Sequence, residues 1–116
     1  MNYDDMSRVF KCAEKFYSEK KLEHAKQVMI YVEYDPRYLM MTIEEQYMVR
    51  ALAMAHDLIE DTKCTWSEIR NCIKDDESYR AFYIALDLLT HKHEDSYGDY
   101  IDIIIKSKNV FAIMVK

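Results

Sequence analysis

One glycine and one proline in 116 residues leave little material for β-turns. The abundant Ala, Leu, Met, Glu and Lys favour helix instead, so an all-α chain with short connections is expected. No apolar run approaches the roughly 20 residues that span a bilayer. Met1-Asn2-Tyr3-Asp4-Asp5 lacks the basic and apolar regions of a signal peptide. A soluble cytoplasmic protein with no membrane partner is therefore expected. Cysteine is sparse as well: Cys12, Cys64 and Cys72 are odd in number and form no CxxC pair. They read as reduced, buried thiols of a reducing compartment. Basic residues are outnumbered, 16 against 21 acidic, for a net charge of −5 and a pI near 5.3. That balance argues against sequence-independent nucleic-acid binding, which relies on Lys and Arg neutralising phosphates. A free nucleotide remains compatible with it when a metal ion assists.

What is present is helical periodicity. Asp4 or Asp5 is expected to cap a first helix that carries Val9, Phe10, Ala13, Phe16 and Tyr17 on one face and runs to about Lys20. A second helix from about Leu22 places His24 with Val28 and Tyr31, and Pro36 ends it near Asp35. Tyr34 to Met41 reads as a loop. Thr42-Ile43-Glu44-Glu45 is a capping box for a central helix, and Thr65-Trp66-Ser67-Glu68 opens a short helix through Ile73. A further helix over about residues 76–90 has Tyr79, Phe82, Tyr83, Leu86 and Leu89 as its stripe. Ser96 and Asn109 open the last two. With no repeat, linker or low-complexity tract, six or seven helices in one bundle is the economical architecture, a single domain over residues 1–116.

The chemistry concentrates in His56-Asp57-Leu58-Ile59-Glu60-Asp61-Thr62. This stretch follows the strong helix former Tyr47 to Ala55, so it should lie at a helix C-terminal end. In continuous helical geometry His56 meets Glu60 and Asp57 meets Asp61, forming one patch. Exposed carboxylates at the negative end of a helix dipole are disfavoured by up to about 1 kcal/mol each. Glu60 and Asp61 thus call for an offsetting cation. Imidazole with carboxylate suits a divalent first-row metal better than Ca²⁺, which prefers all-oxygen shells.

With His24 upstream and His56-Asp57 at the end of the next long helix, the chain resembles the HD-domain metal-dependent phosphohydrolases. Ala55 to Thr62 is similar to the HDxxED segment of the hydrolase domains of stringent-response enzymes, which remove pyrophosphate from (p)ppGpp. Leu86-Asp87-Leu88-Leu89-Thr90-His91-Lys92 and Tyr97-Gly98-Asp99-Tyr100 resemble that group's small stand-alone members, and the likeness covers about residues 8–116. It implies an HD-domain bundle with His24, His56 and Asp57 as metal ligands. Glu60 and Asp61 would be the catalytic pair that handles the attacking water. The metal would be Mn first, with Fe, Zn and Ni as alternatives, and the substrate a phosphoester or pyrophosphate bond of a nucleotide. The family's basic loop before the first His contains Gly, whereas Ser18-Glu19-Lys20-Lys21-Leu22-Glu23 has none. Its last ligand Asp follows a segment resembling Ala112 to Lys116, so the final ligand and the C-terminal helix around it are expected to lie beyond these residues. An apolar face left open there would make a homodimer surface.

Each residue also has a plainer role. His24 fits a hydrogen-bonded core histidine, His56-Asp57 a capping histidine beside a solvated acid, and Glu60-Asp61 a solvated turn. His91 and His93 fit exposed loop histidines, Trp66 and the tyrosines core or rim residues, and Lys20, Lys21 and Lys92 a solvated face. Asp87 is weighed between supporting a ligating His and plain surface. Taken together, these roles describe a noncatalytic helical module, the alternative to the enzyme.

Overall fold

A computed structural model describes residues 1–91 and 96–116, and those residues are helical without any strand. In chain order the helices are α1 (Tyr3–Phe16), α2 (Glu19–Tyr34), α3 (Pro36–Leu39), α4 (Ile43–Ala55), α5 (Leu58–Asp61), α6 (Trp66–Cys72), α7 (Asp76–Leu89), α8 (Tyr97–Ser107) and α9 (Val110–Val115). Setting aside the four-residue turns α3 and α5, seven helices remain among the described residues, in keeping with the expected all-α bundle.

Side-chain caps set the boundaries. Asn2, not Asp4 or Asp5, caps α1, accepting the Asp5 N–H at 2.8 Å. Ser18 caps α2 and so starts it at Glu19, which ends α1 earlier than the Lys20-Lys21 break suggested. Asp35 closes α2 and also caps α3, accepting the Arg37 N–H at 2.9 Å. The segment expected as a loop therefore contains one helical turn. The Thr42–Glu45 capping box forms with both hydrogen bonds, at 2.9 and 3.2 Å. Thr65, Asp75, Ser96 and Asn109 cap α6 to α9. At the other end of α8 the chain reverses through Lys108 in the left-handed region, φ 58°.

The centre of the molecule is α4. Met48, Val49, Ala51, Leu52, Ala53, Met54 and Ala55 are all buried, so the helix is apolar on nearly every side, as expected of one enclosed by neighbours. α1 and α2 pack along it, with α7 and α9 on its remaining faces. Its three alanines allow close backbone approach. α1 presents Met6, Val9 and Ala13 to the core, with Tyr17 buried just past its end, and α7 presents Phe82, Ala85, Leu86 and Leu89. Tyr83 of the expected α7 stripe is instead partly exposed.

Asp5 is a buried charge, 1% exposed. Its carboxylate pairs with the Arg8 guanidinium and accepts the Lys74 N–H at 3.3 Å, while Arg8 Nε donates to the Cys72 carbonyl at 2.7 Å. The pair thereby fastens α1 to the α6–α7 connection. Asp5→Ala leaves the Lys74 N–H and the Arg8 Nη2 group without their acceptor, a loss of roughly 1–3 kcal/mol. Thermal denaturation should show a Tm lowered by several degrees; an unchanged Tm would remove this anchoring role.

Candidate metal centre

The helical run does not continue through the acidic cluster. His56 is the C-terminal cap of α4, Asp57 adopts φ −106° and ψ 2°, and α5 restarts at Leu58. The continuous-helix patch of four side chains is therefore replaced by two groups that share Asp57. Ligand-capable atoms of His24, His56 and Asp57 lie within 4.8 Å of one another, and so do those of Asp57, Glu60 and Asp61. The break aims the first group toward α2 and leaves Glu60 and Asp61 on the exposed turn.

His24 reaches this group from a different position than expected. The inward stripe of α2 is Leu22, Ala25, Val28, Met29 and Val32, while His24 is exposed beside it and Tyr31 is 68% exposed. From that border the His24 ring lies 5.5 Å, centroid to centroid, from the His56 ring. The two imidazoles meet although they come from separate helices.

His56 is held by its backbone surroundings. Its Nδ1 lies 2.6 Å from the Ala53 carbonyl, and Nε2 is 3.2 Å from Asp57 Oδ2. A carbonyl accepts only, so Nδ1 carries the proton in the neutral ring and Nε2 keeps its lone pair for a ligand. Burial pulls the His56 pKa down, but the Asp57 hydrogen bond and charge outweigh it and the net shift is upward. Burial likewise raises Asp57, and the His56 contact, with Lys21 and His24 nearby, brings it below the ordinary carboxylate value.

Tyr17 supports the break in the backbone. Its hydroxyl donates to the Met54 carbonyl at 2.8 Å and accepts the Asp57 N–H at 3.2 Å. Burial, the largest influence, pushes its phenol pKa well up, so the donor is retained. The spacing of Tyr17 puts it in the core, and nothing in that spacing reveals what the hydroxyl does. On the far side, the Lys21 ammonium meets Asp61 Oδ2 at 2.7 Å. Part of the offset assigned to a metal is thus supplied by a lysine. Lys116, at the end of α9, is close enough for its charge to oppose protonation of His56.

A surface cavity of about 490 Å³ is lined by Ser18, Lys20, Lys21, His24 and Asp57. A larger one, about 690 Å³, is lined by Arg70, Asp76, Glu77, Tyr79, Arg80 and Tyr83 and shares no residue with the histidine cluster. Trp66 meets Tyr83, one of that cavity's lining residues, with the rings tilted by 56° and their centroids 4.7 Å apart. His91 stacks on Tyr100 at 4.7 Å, and Asp87 is half-buried in the last turn of α7. Lys92 and His93 lie outside the described residues.

Tyr17→Phe removes the partners of the Met54 carbonyl and the Asp57 N–H at once, an expected loss of roughly 1–3 kcal/mol. Chemical denaturation checks it, and equal stability would show that the hydroxyl carries no load. A metal ligand must also shed its proton. Because His56 titrates above its usual 6.5, Mn²⁺ affinity measured by calorimetry should fall as pH drops through that range. Affinity constant from about pH 8 to 6 would take the imidazoles out of the ligand set.

No protein-family model matches the chain, and neither a curated protein nor a solved structure matches it.

Proposed function

We propose that the chain is an HD-type, metal-dependent phosphohydrolase that cleaves a phosphoester or pyrophosphate bond of a nucleotide, of which (p)ppGpp is an example. The observation that carries this reading is the convergence of His24, His56 and Asp57 within 4.8 Å, with His24 and Asp57 lining a cavity that also bears Lys20 and Lys21. Two nitrogens and a carboxylate fit Mn²⁺, Fe²⁺, Zn²⁺ or Ni²⁺, and three protein ligands leave positions open. Such a cation supplies Lewis acidity toward a phosphoryl oxygen and makes water nucleophilic near neutral pH.

The remaining work falls to side chains. Lys20 and Lys21 offer ammonium groups to the phosphates. Glu60, exposed beside Asp57 and Asp61, accepts a proton from the attacking water. Asp61, once Lys21 turns to the substrate, orients that water or passes a proton to the leaving oxygen. Positioned proton transfer of this kind typically contributes about 10²–10⁴ in rate. His56 is held ready by the Ala53 carbonyl, and Tyr17 keeps Asp57 beside it.

A noncatalytic helical module is the second reading, favoured by the Lys21–Asp61 and His56–Asp57 pairs. They answer Asp57 and Asp61, two of the three carboxylates of the turn, without a metal ion. Metal analysis of protein purified without chelator separates the two. Under the enzyme reading, about one divalent ion per chain is retained, His56→Ala and Asp57→Ala each lose it, and a nucleotide panel with added Mn²⁺ reveals phosphate or pyrophosphate release. No retained metal and no turnover would leave the module.

A further inference from the structure

A second reactive cluster lies where α1 packs on α6. Cys12, on α1, is partly exposed, while Cys64 and Cys72 are buried. The sulfurs of Cys12 and Cys64 are 3.8 Å apart, in van der Waals contact although 52 residues separate them in the chain. Cys72 adjoins the same pair, its thiol 3.6 Å from the Arg8 carbonyl and 3.4 Å from that of Glu68. The three sulfurs do not all lie within 4.8 Å of one another, as the ligand atoms of His24, His56 and Asp57 do. They are placed for pairwise chemistry rather than as a cage for a cation.

Their environments differ in the sense that such chemistry needs. Cys12 opens onto a surface cavity of about 330 Å³ whose lining includes Lys11, Lys15 and Glu68, together with Arg8, which is paired with Asp5. The neighbouring Cys72 thiol lowers the Cys12 pKa most; burial and the Glu68 charge oppose it, Cys64 and Lys15 assist, and the group is brought down to about 7. Cys64 is pushed up to about 12 by burial and by the neighbouring Cys12. One thiol is therefore an accessible thiolate near neutral pH, and its contact partner stays protonated. An attacking and a resolving thiol require that asymmetry.

We propose that Cys12 and Cys64 form a peroxide-responsive dithiol site, at which Cys12 is oxidised first and Cys64 then closes an intramolecular disulfide. The Cys12 thiolate attacks a hydroperoxide oxygen; an S–O bond forms, the O–O bond breaks, and hydroxide leaves and takes up a proton. The Cys64 sulfur, releasing its proton, then attacks the Cys12 sulfenic sulfur; the S–S bond forms, the S–O bond breaks, and water leaves. Two thiols lose two electrons and one hydrogen peroxide becomes two waters. The bridge ties α1 to the segment that ends the acidic turn, where the Cys64 N–H donates to Thr62 Oγ1 at 3.0 Å. A thiol reductant reverses it, which suits a compartment where disulfides are transient. The site is independent of the phosphohydrolase reading.

The test is to treat the full chain with hydrogen peroxide in the presence of EDTA, block free thiols with N-ethylmaleimide, and map peptides by mass spectrometry. A Cys12–Cys64 bridge that dithiothreitol removes is expected. In the Cys64→Ser/Cys72→Ser variant, dimedone should instead label Cys12. Iodoacetamide should modify Cys12 at least about tenfold faster than Cys64 at neutral pH, and that rate should rise with pH through a midpoint of about 7. Three thiols still fully alkylatable after peroxide would overturn the proposal, as would a bridge from Cys12 to Cys72 or only intermolecular dimers. The wild-type map decides even where a variant fails to fold.

Discussion

Everything else in the molecule is arranged around the need to bury α4 from several sides at once. A helix with seven buried positions among thirteen residues has no stable place at a surface, because each large apolar side chain left in water forgoes roughly 1.5–3 kcal/mol. α1 and α2 cover its long faces, and α7 and α9 the rest. The enclosure fixes the direction in which α4 ends. His56 and Asp57 therefore emerge between α1 and α2, next to Tyr17 on one side and His24 on the other. The polar cluster inherits its geometry from the apolar one.

Charge at that end is balanced by near neighbours. The Asp5–Arg8 pair, remote from the cluster, fastens α1 where it meets α6, while Lys21 and His56 answer two of the three carboxylates in the turn. Glu60 stays exposed. A site with one uncommitted carboxylate and a ring nitrogen held by a backbone carbonyl suits proton handling, whether or not a cation resides there. The thiol cluster uses the same design at another helix junction: two buried partners set the properties of a third group that reaches solvent.

The bundle was legible because the chain's punctuation is local. Thr42, Thr65, Ser96 and Asn109 announce helix starts by chemistry that operates within three or four residues. Where two residues compete for a cap, as Asn2 and Asp4 do, the outcome depends on which must be buried; Asp5 is drawn inward by Arg8 and Lys74, which sequence spacing does not show. HDLIEDT marks His56, Asp57, Glu60 and Asp61 as a polar cluster in the sequence, but their arrangement was not legible there. Period-3.6 reasoning assumes a continuous helix, and the turn at His56-Asp57 interrupts it. His24 was placed inward by spacing from Val28, yet the true stripe passes through Ala25 and Val32 and leaves the imidazole at its edge. The contacts of Tyr17 and the meeting of Cys12 with Cys64 join distant parts of the chain, so no local pattern encodes them.

The capping box at one end of α4 and the histidine at the other make this helix a molecular ruler. Thirteen residues separate Thr42 from His56, and each one advances the helix by about 1.5 Å and turns it by about 100°. Adding or deleting a single residue between them would swing the imidazole away from α2 while moving alternate alanines out of register with their neighbours. Side chains along this helix can trade size for size, but its residue count sets where the imidazole points.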